Sequence, residues 1–235
     1  MNRNRLRRLM VGVLSGGGGA AVPWYLAGGV DEANCIAAYQ AIGASTIFAS
    51  YTNLANPATY DLTAGITPGF DISYGWAFNG VDQYLRSTMV PNNDQTWSVI
   101  IRYSEQSGTG DKALTGSLNA AATSGIALIA DKANTVSYRN GNTPSTFAPK
   151  LATGVLAIAG NKAYRDGVAE ASTLGTGTGT LSQTIIGGVG YAGNAAVWFC
   201  NVKIQALAFY HTVLTDAQVT AITTAMNALN ASTPP

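Results

Sequence analysis

The chain has 235 residues, of which 47% are hydrophobic and only 11% charged, with a formal net charge of +1. A body this close to neutrality exerts no long-range pull on nucleic acid or acidic membranes, and no stretch reaches the roughly 20 apolar residues of a membrane-spanning helix. The apolar fraction supplies a sizeable core, while Gly, Ser, Thr and Asn stand where surface charge would be, which suits many short strands joined by turns and a surface partly covered in an assembly.

Positive charge gathers at the start, in Arg3, Arg5, Arg7 and Arg8. A short apolar run, Leu9 to Leu14, follows with Gly12 inside it, and Ser15 to Ala21 reads SGGGGAA. Two readings stand: a secretory signal, or a basic arm on a flexible glycine tether. The glycines interrupt the helix a signal needs, which favours the arm. Its arginines fit an acidic groove on a neighbouring subunit as well as they fit phosphates, and they lack the interleaved aromatics of a single-strand binder. Trp24 and Tyr25, in the connector PWYLAGG, are expected to anchor the arm to the domain or to a neighbour. The division is therefore 1–30 arm and connector, 31–230 one domain, and 231–235 a polar tail.

Residues 31–43 are ambiguous, since Asp31 suits a helix cap while CIAAYQA also reads as a strand. With Pro57, Pro68 and several glycines, 44–75 reads as a long meandering connection. Period-two patterning becomes clear from Trp76 onward. Trp97, Val99, Ile101 and Tyr103 share one face. Ile126, Leu128 and Ala130 mark another strand, and Val136 and Tyr138 lead to the hairpin signal Asn140–Gly141. Val155, Ala157 and Ala159 make the next, and Tyr164 runs into the turn signal Asp166–Gly167. Thr184 to Ile186 is short and ends in glycines. The last strand is the longest, with Val202, Ile204, Ala206, Ala208 and Tyr210 expected on one face. A capping box, Thr215 to Gln218, then opens a helix with the stripe Val219, Ile222, Met226 and Leu229. Cys35 and Cys200 lack CxxC spacing, which argues against zinc. They are either two buried small hydrophobes or a long-range disulfide.

The order of these pieces resembles laminin-G-like domains of the concanavalin A-like lectin and glucanase superfamily. Trp76-Ala77-Phe78-Asn79-Gly80 with Tyr84-Leu85 is similar to the family's opening, and Trp97 to Arg102 to its next core strand. Tyr164-Arg165-Asp166-Gly167 resembles its Y-x-D-G hairpin, and Ile185-Ile186-Gly187-Gly188 its I-G-G strand. Val202 to Tyr210 with Leu214 to Val219 resembles its last strand and closing helical turn. The resemblance implies an all-β fold: a two-sheet antiparallel jelly-roll sandwich, concanavalin A-like, with one short C-terminal helix and an extended N-terminal arm. It also implies neighbouring first and last strands, which would bring Cys35 near Cys200. The front end, from the glycines through Pro23 to Gly29 and Asn34 to Gln40, resembles uncharacterised proteins encoded among bacteriophage structural genes. That implies a virion component, such as a capsid decoration, tail or fibre protein.

Glycosidases of this superfamily place paired carboxylates on one strand face as E-x-D-x-x-E, because acid and nucleophile must flank one bond about 5 Å apart. The three glutamates, Glu32, Glu105 and Glu170, form no such motif, and Asp166 belongs to a turn. His211, the single histidine, lies at a strand end with no nucleophile elbow nearby. Gly188 to Gly193 matches G-x-G-x-x-G, yet a β-type run follows where a dinucleotide site needs a helix. Asp111, Asp131 and Asn134 do not make a calcium shell. No catalytic residue, metal or cofactor is therefore expected, and the chain reads as non-enzymatic. Sugar binding is the chemistry that remains, through a ring stacked on a sugar face and planar polar side chains. Tyr138, Arg139, Asn140 and Asn142 offer this at one hairpin, and Tyr191, Asn194 and Trp198 in another loop. The competing account is that these rings fill the core and Asn–Gly makes turns.

The expectation is a virion structural protein that forms homo-oligomers or binds other virion subunits through its arm, with surface glycans as further partners and no membrane span or nucleic acid. The alternatives are a secreted, extracellular bacterial carbohydrate-binding module and a divergent glycan hydrolase or lyase.

Overall fold

The computed structural model describes residues 21–92, 95–107, 110–142, 144–147, 149–171, 173–191, 195–230 and 235. Arg3, Arg5, Arg7, Arg8 and Asn194 lie outside these described residues. With strands numbered in chain order, one sheet runs β13 (Val168–Ala169), β12 (Lys162–Arg165), β11 (Gly154–Ala159), β6 (Ser98–Ser104), β17 (Lys203–Tyr210), β4 (Gly75–Ala77) and β3 (Gly69–Asp71), and β1 (Cys35–Gln40) also pairs with β17. The second runs β10 (Pro144–Phe147), β9 (Thr135–Gly141), β8 (Gly125–Lys132), β7 (Lys112–Leu118), β14 (Ile185–Ile186), β5 (Tyr84–Arg86) and β2 (Thr63–Ile66). A hairpin of β15 (Val189–Tyr191) and β16 (Ala195–Val197) attaches to β7. Apart from the short parallel contact of Gly190 with Ser117, the ladders are antiparallel. The fold is therefore a two-sheet antiparallel sandwich.

Alternation explains the dry layer between the sheets. Val99, Ile101 and Tyr103 of β6 face Leu128, Val136 and Tyr138 of the other sheet inside one buried cluster. Each such aliphatic side chain, removed from water, contributes about 1.5–3 kcal/mol. Two-residue turns close several ladders: Asp166 (φ 49°) and Gly167 (φ 82°) join β12 to β13 in the left-handed region that such a turn demands.

A second apolar layer covers the outside of the β1-containing sheet. Helix α1 (Ile47–Ser50) lies elsewhere, in the connection after β1, but helix α2 (Asp216–Asn227) lays Val219, Ile222 and Met226 against Ile100, Val155, Ala157, Ala206 and Ala208. Its capping box forms, Gln218 N donating to Thr215 Oγ1 at 3.3 Å and Thr215 N to Gln218 Oε1 at 3.0 Å. Arg102 closes the other end, its Nη1 donating to the carbonyls of Met226 and Leu229 at 2.7 and 2.8 Å. Trp24 and Tyr25, in a single 3₁₀ turn, are buried in this same layer, and the Tyr210 hydroxyl donates to Tyr25 O at 2.8 Å. The connector thus packs on its own domain.

Several sequence expectations need correction. Residues 31–43 hold both readings: Asp31 caps a 3₁₀ turn, its side chain accepting from Ala33 N at 2.9 Å, and Cys35–Gln40 form strand β1, because every second side chain from Ala37 onward enters the dry layer. The stretch 44–75 is more than connection: it holds α1, β2 and β3, which a period-two scan misses because β2 is exposed throughout. The face read along β17 is split. A bulge at Gln205 shifts the register, so Ile204 points inward while Ala206, Ala208 and Tyr210 point under α2 and Leu207 and Phe209 take the inward places. Val155, Ala157 and Ala159 likewise face the helix, with Leu156 and Ile158 facing the other sheet. Cys35 and Cys200 are both free and buried, in different layers, so no disulfide joins them.

Candidate functional site

Among the described residues, no helix packs on the outer face of the β2-containing sheet. Its apolar floor is small, formed by Ala113, Leu118, Ala127, Ile129 and Val189. Four partly exposed residues pack on that floor: Ala122, Tyr191, Val197 and Trp198. The β15–β16 hairpin brings the two aromatic residues there. Gly190 makes this possible, since a Cβ at that position would stand 2.0 Å from Gln183 O. Trp198 leaves the hairpin with φ 56°, a conformation that costs a bulky residue on the order of 1–3 kcal/mol. Its carbonyl accepts from Ala113 N at 2.9 Å, which ties that strained residue to the edge of β7.

Arg139 joins this floor from β9. It alternates with Tyr138 and Asn140, so its guanidinium emerges on the outer face while theirs turn inward. Nη1 of Arg139 donates to Ala122 O at 2.9 Å, and partial burial eases its pKa down from the ordinary guanidinium value. The outward Ser137 hydroxyl, two residues before it, is buried without a hydrogen-bond partner. The face therefore offers two aromatic surfaces and a positive planar fork.

The structure sorts the sequence candidates. Tyr191 and Trp198 both pack on the floor, and Arg139 bonds to Ala122, which packs there too. Tyr138 and Asn140 do not: both are fully buried, Tyr138 donating to Tyr164 O at 3.0 Å and Asn140 Nδ2 to Gly160 O at 2.7 Å. Their placement at a sugar site is corrected, because adjacent residues on a strand point to opposite faces. Desolvation by burial, helped by Glu170, pushes the Tyr138 phenol far above its ordinary range. Asn142 is exposed in the turn after β9, where its N donates to Thr176 O at 3.2 Å. Ala122 and Ser137, which sequence reasoning missed, carry no chemical signal of their own.

The carboxylates considered for catalysis or calcium are engaged elsewhere. Asp166 Oδ1 accepts from Val155 N at 2.8 Å, Glu170 pairs with Arg165, and Asp131 accepts from Lys150 Nζ and Asn134 N at 2.6 and 2.9 Å. His211 is exposed at the end of β17.

No protein-family model matches the chain, and no curated protein matches it in sequence. Solved structures do. A Trypanosoma rangeli sialidase in complex with sialic acid superposes with a TM-score of 0.60 at 16% identity, over 92% of this chain and 35% of that one. The same sialidase with 2,3-difluorosialic acid, as a covalent intermediate, gives 0.59 at 17% identity over the same shares. A point mutant of HCR/D gives 0.58 at 9% identity, over 82% of this chain and 52% of that one. The chain thus spans about a third of the sialidases' length and half of HCR/D. At these identities the likeness shows the fold alone, a two-sheet antiparallel β-sandwich. It also corrects the expectation of a non-enzymatic protein: the sialidases are enzymes, so this is a fold that enzymes carry, and a missing glycosidase motif does not exclude catalysis.

Proposed function

We propose that the chain is a carbohydrate-binding jelly roll that holds a glycan on the outer face of the β2-containing sheet. Tyr191 and Trp198 supply the stacking surfaces and Arg139 the hydrogen-bond donors. The observation that carries this reading is Trp198, a partly exposed tryptophan in a strained left-handed conformation, set on the same floor as Tyr191. Strain at a bulky residue is retained where it serves a site. A ring held this way covers the apolar face of a sugar, and a guanidinium donates to hydroxyl or carboxylate oxygens along its edge. The likeness to a sialidase in complex with sialic acid supports the reading as a precedent for the fold.

The finer form of the proposal is a laminin-G-like domain of a virion structural protein, located in the particle and joined to other subunits by its N-terminal arm. Its support is the resemblance of the front end to proteins encoded among bacteriophage structural genes. A second reading, a glycan hydrolase or a portion of one, is favoured by the sialidase likeness.

A glycan array read with the full chain tests the site. Saturable binding to a sugar class is expected, with Trp198→Ala weakening it about 5- to 150-fold and Tyr191→Ala by a similar factor, as stacking losses of about 1–3 kcal/mol imply. Equal binding by both variants and the parent would overturn the site. Scoring the same glycans for released sugar separates binding from hydrolysis, and mass spectrometry of purified native particles tests the virion assignment.

A further inference from the structure

One cation on the outer face of the β2-containing sheet lacks an opposite charge. The described ion pairs join Asp131 to Lys150, Asp216 to Lys162, Glu170 to Arg165 and Glu105 to Lys203. Arg139 enters none of them, although it is half-buried. Its partners in the ladders are Ala127 on β8 and Pro144 on β10, and Gly116 on β7 stands beyond Ala127. None of these carries a charge. Desolvation alone eases the Arg139 pKa down, with no carboxylate among the described residues to hold it up. A guanidinium has several N–H donors, and among the described residues the one side-chain hydrogen bond of Arg139 runs from Nη1 to Ala122 O at 2.9 Å. Charges drawn out of water are normally paired inside a protein. This one is not.

Spacing adds a second constraint. Tyr191 belongs to β15, which pairs with β7, and β8 lies between β7 and β9. Three strand spacings, about 14 Å in all, therefore separate the backbone of Tyr191 from that of Arg139. We infer that the glycan held on this face is an acidic oligosaccharide: a carboxylate or sulfate on one sugar takes the unused donors of Arg139 while another sugar stacks on Tyr191 or Trp198. This rests on the glycan site proposed above. A neutral chain would leave the cation half-desolvated and unpaired, whereas an anion forms charge-assisted hydrogen bonds with it.

The test titrates the full chain with oligogalacturonates and their methyl esters, with sulfated galactan oligosaccharides and their desulfated counterparts, and with galacturonic acid as a single ring. Binding to an acidic set is expected, about tenfold or more tighter than to its neutral counterpart, and the set that binds tells carboxylate from sulfate. Affinity for the acidic chain should fall as salt is raised. Arg139→Gln should bring the acidic and neutral affinities level, and Arg139→Lys should keep part of the preference. Thermal unfolding checks that both variants are folded. A preference that survives in folded Arg139→Gln, equal affinity of the parent for acidic and neutral chains, or no binding to either acidic set would each overturn the inference. Galacturonic acid binding as tightly as its oligomers would overturn the requirement for an oligosaccharide. Binding of neutral chains alone, lost in Trp198→Ala, would overturn the acid while the stacking site stands; no binding anywhere on the glycan array would overturn both.

Discussion

Arg102→Met tests how the covering layer is held. Arg102 stands on the outward face of β6, and its Nη1 bridges two carbonyls at the end of α2, Met226 O at 2.7 Å and Leu229 O at 2.8 Å. Those residues are themselves buried, at 0% and 5% exposure, so their carbonyls have little water to turn to when the guanidinium goes. A hydrogen bond to a charged group contributes about 1.5–3 kcal/mol, and a cation at a helix C-terminus adds about 0.3–1 kcal/mol. The two bonds share one nitrogen and are not additive, which brings the expected loss to about 2–4 kcal/mol. Methionine keeps the apolar stem, so the change isolates the guanidinium. For a domain of this size the loss corresponds to about 5–15 °C in Tm, and urea unfolding with linear extrapolation measures it directly. Arg102→Lys retains a charge without the fork and should recover about half of the deficit. A loss below about 0.5 kcal/mol for Arg102→Met, the size of an ordinary surface substitution, would refute the reasoning.

Other consequences are equally open to measurement. Trp76 is fully buried and donates to Ser50 Oγ at 2.8 Å, so Trp76→Phe should cost about 2–4 kcal/mol in urea unfolding, whereas Trp24→Phe, which removes a donor without a partner, should stay within about 0.5 kcal/mol. Gly190→Ala would drive a methyl into Gln183 O and is expected to lower both stability, by about 1–3 kcal/mol, and glycan affinity; an unchanged melting curve would argue against the close approach. Burial pushes the Cys35 thiol up from 9.0 to about 12 and the Tyr51 phenol from 10.0 to about 12. Both raised groups hold their protons longer folded than unfolded, so their contribution is complete below the unfolded values and is lost as pH climbs from about 9 to about 12. Unfolding free energies that stay flat over that window would contradict this, as would rapid native-state alkylation of Cys35 or Cys200 near neutral pH.

What the sequence made legible was the dry layer. β6, β8 and β9 alternate without interruption, and their inward residues follow from parity alone. Parity failed where the backbone departs from a plain strand. The Gln205 bulge reverses the faces of β17 halfway along, and nothing in KIQALAFY marks it, because small and large apolar residues stand on both sides of the shift. The central strand β7, KALTGSL, was passed over for a different reason. Its Thr115 and Ser117 look like surface residues, yet both are buried and donate to carbonyls, Thr115 Oγ1 to Ile185 O at 2.8 Å and Ser117 Oγ to Ser182 O. Hydroxyls satisfied in this way are indistinguishable in sequence from solvated ones.

The candidate site was half legible for the same physical reason. Tyr138, Arg139 and Asn140 are neighbours in one hairpin, but period two sends Arg139 to the face opposite the other two. Tyr191 and Trp198 share one floor only because a hairpin attaches to β7, a long-range event that composition does not encode. The deeper constraint is the inequality of the two outer faces. Helix α2 and the Trp24 turn cover one of them, and a long apolar set from Ile100 to Tyr210 requires that cover. The other carries five floor residues and leaves a tryptophan, a tyrosine and a guanidinium part-exposed above them. Trp198 keeps its backbone strain above this floor while its ring stays part-exposed. A ligand that takes the ring would offset it, which is why the binding measurements on Trp198→Ala and Tyr191→Ala decide whether this face is a site.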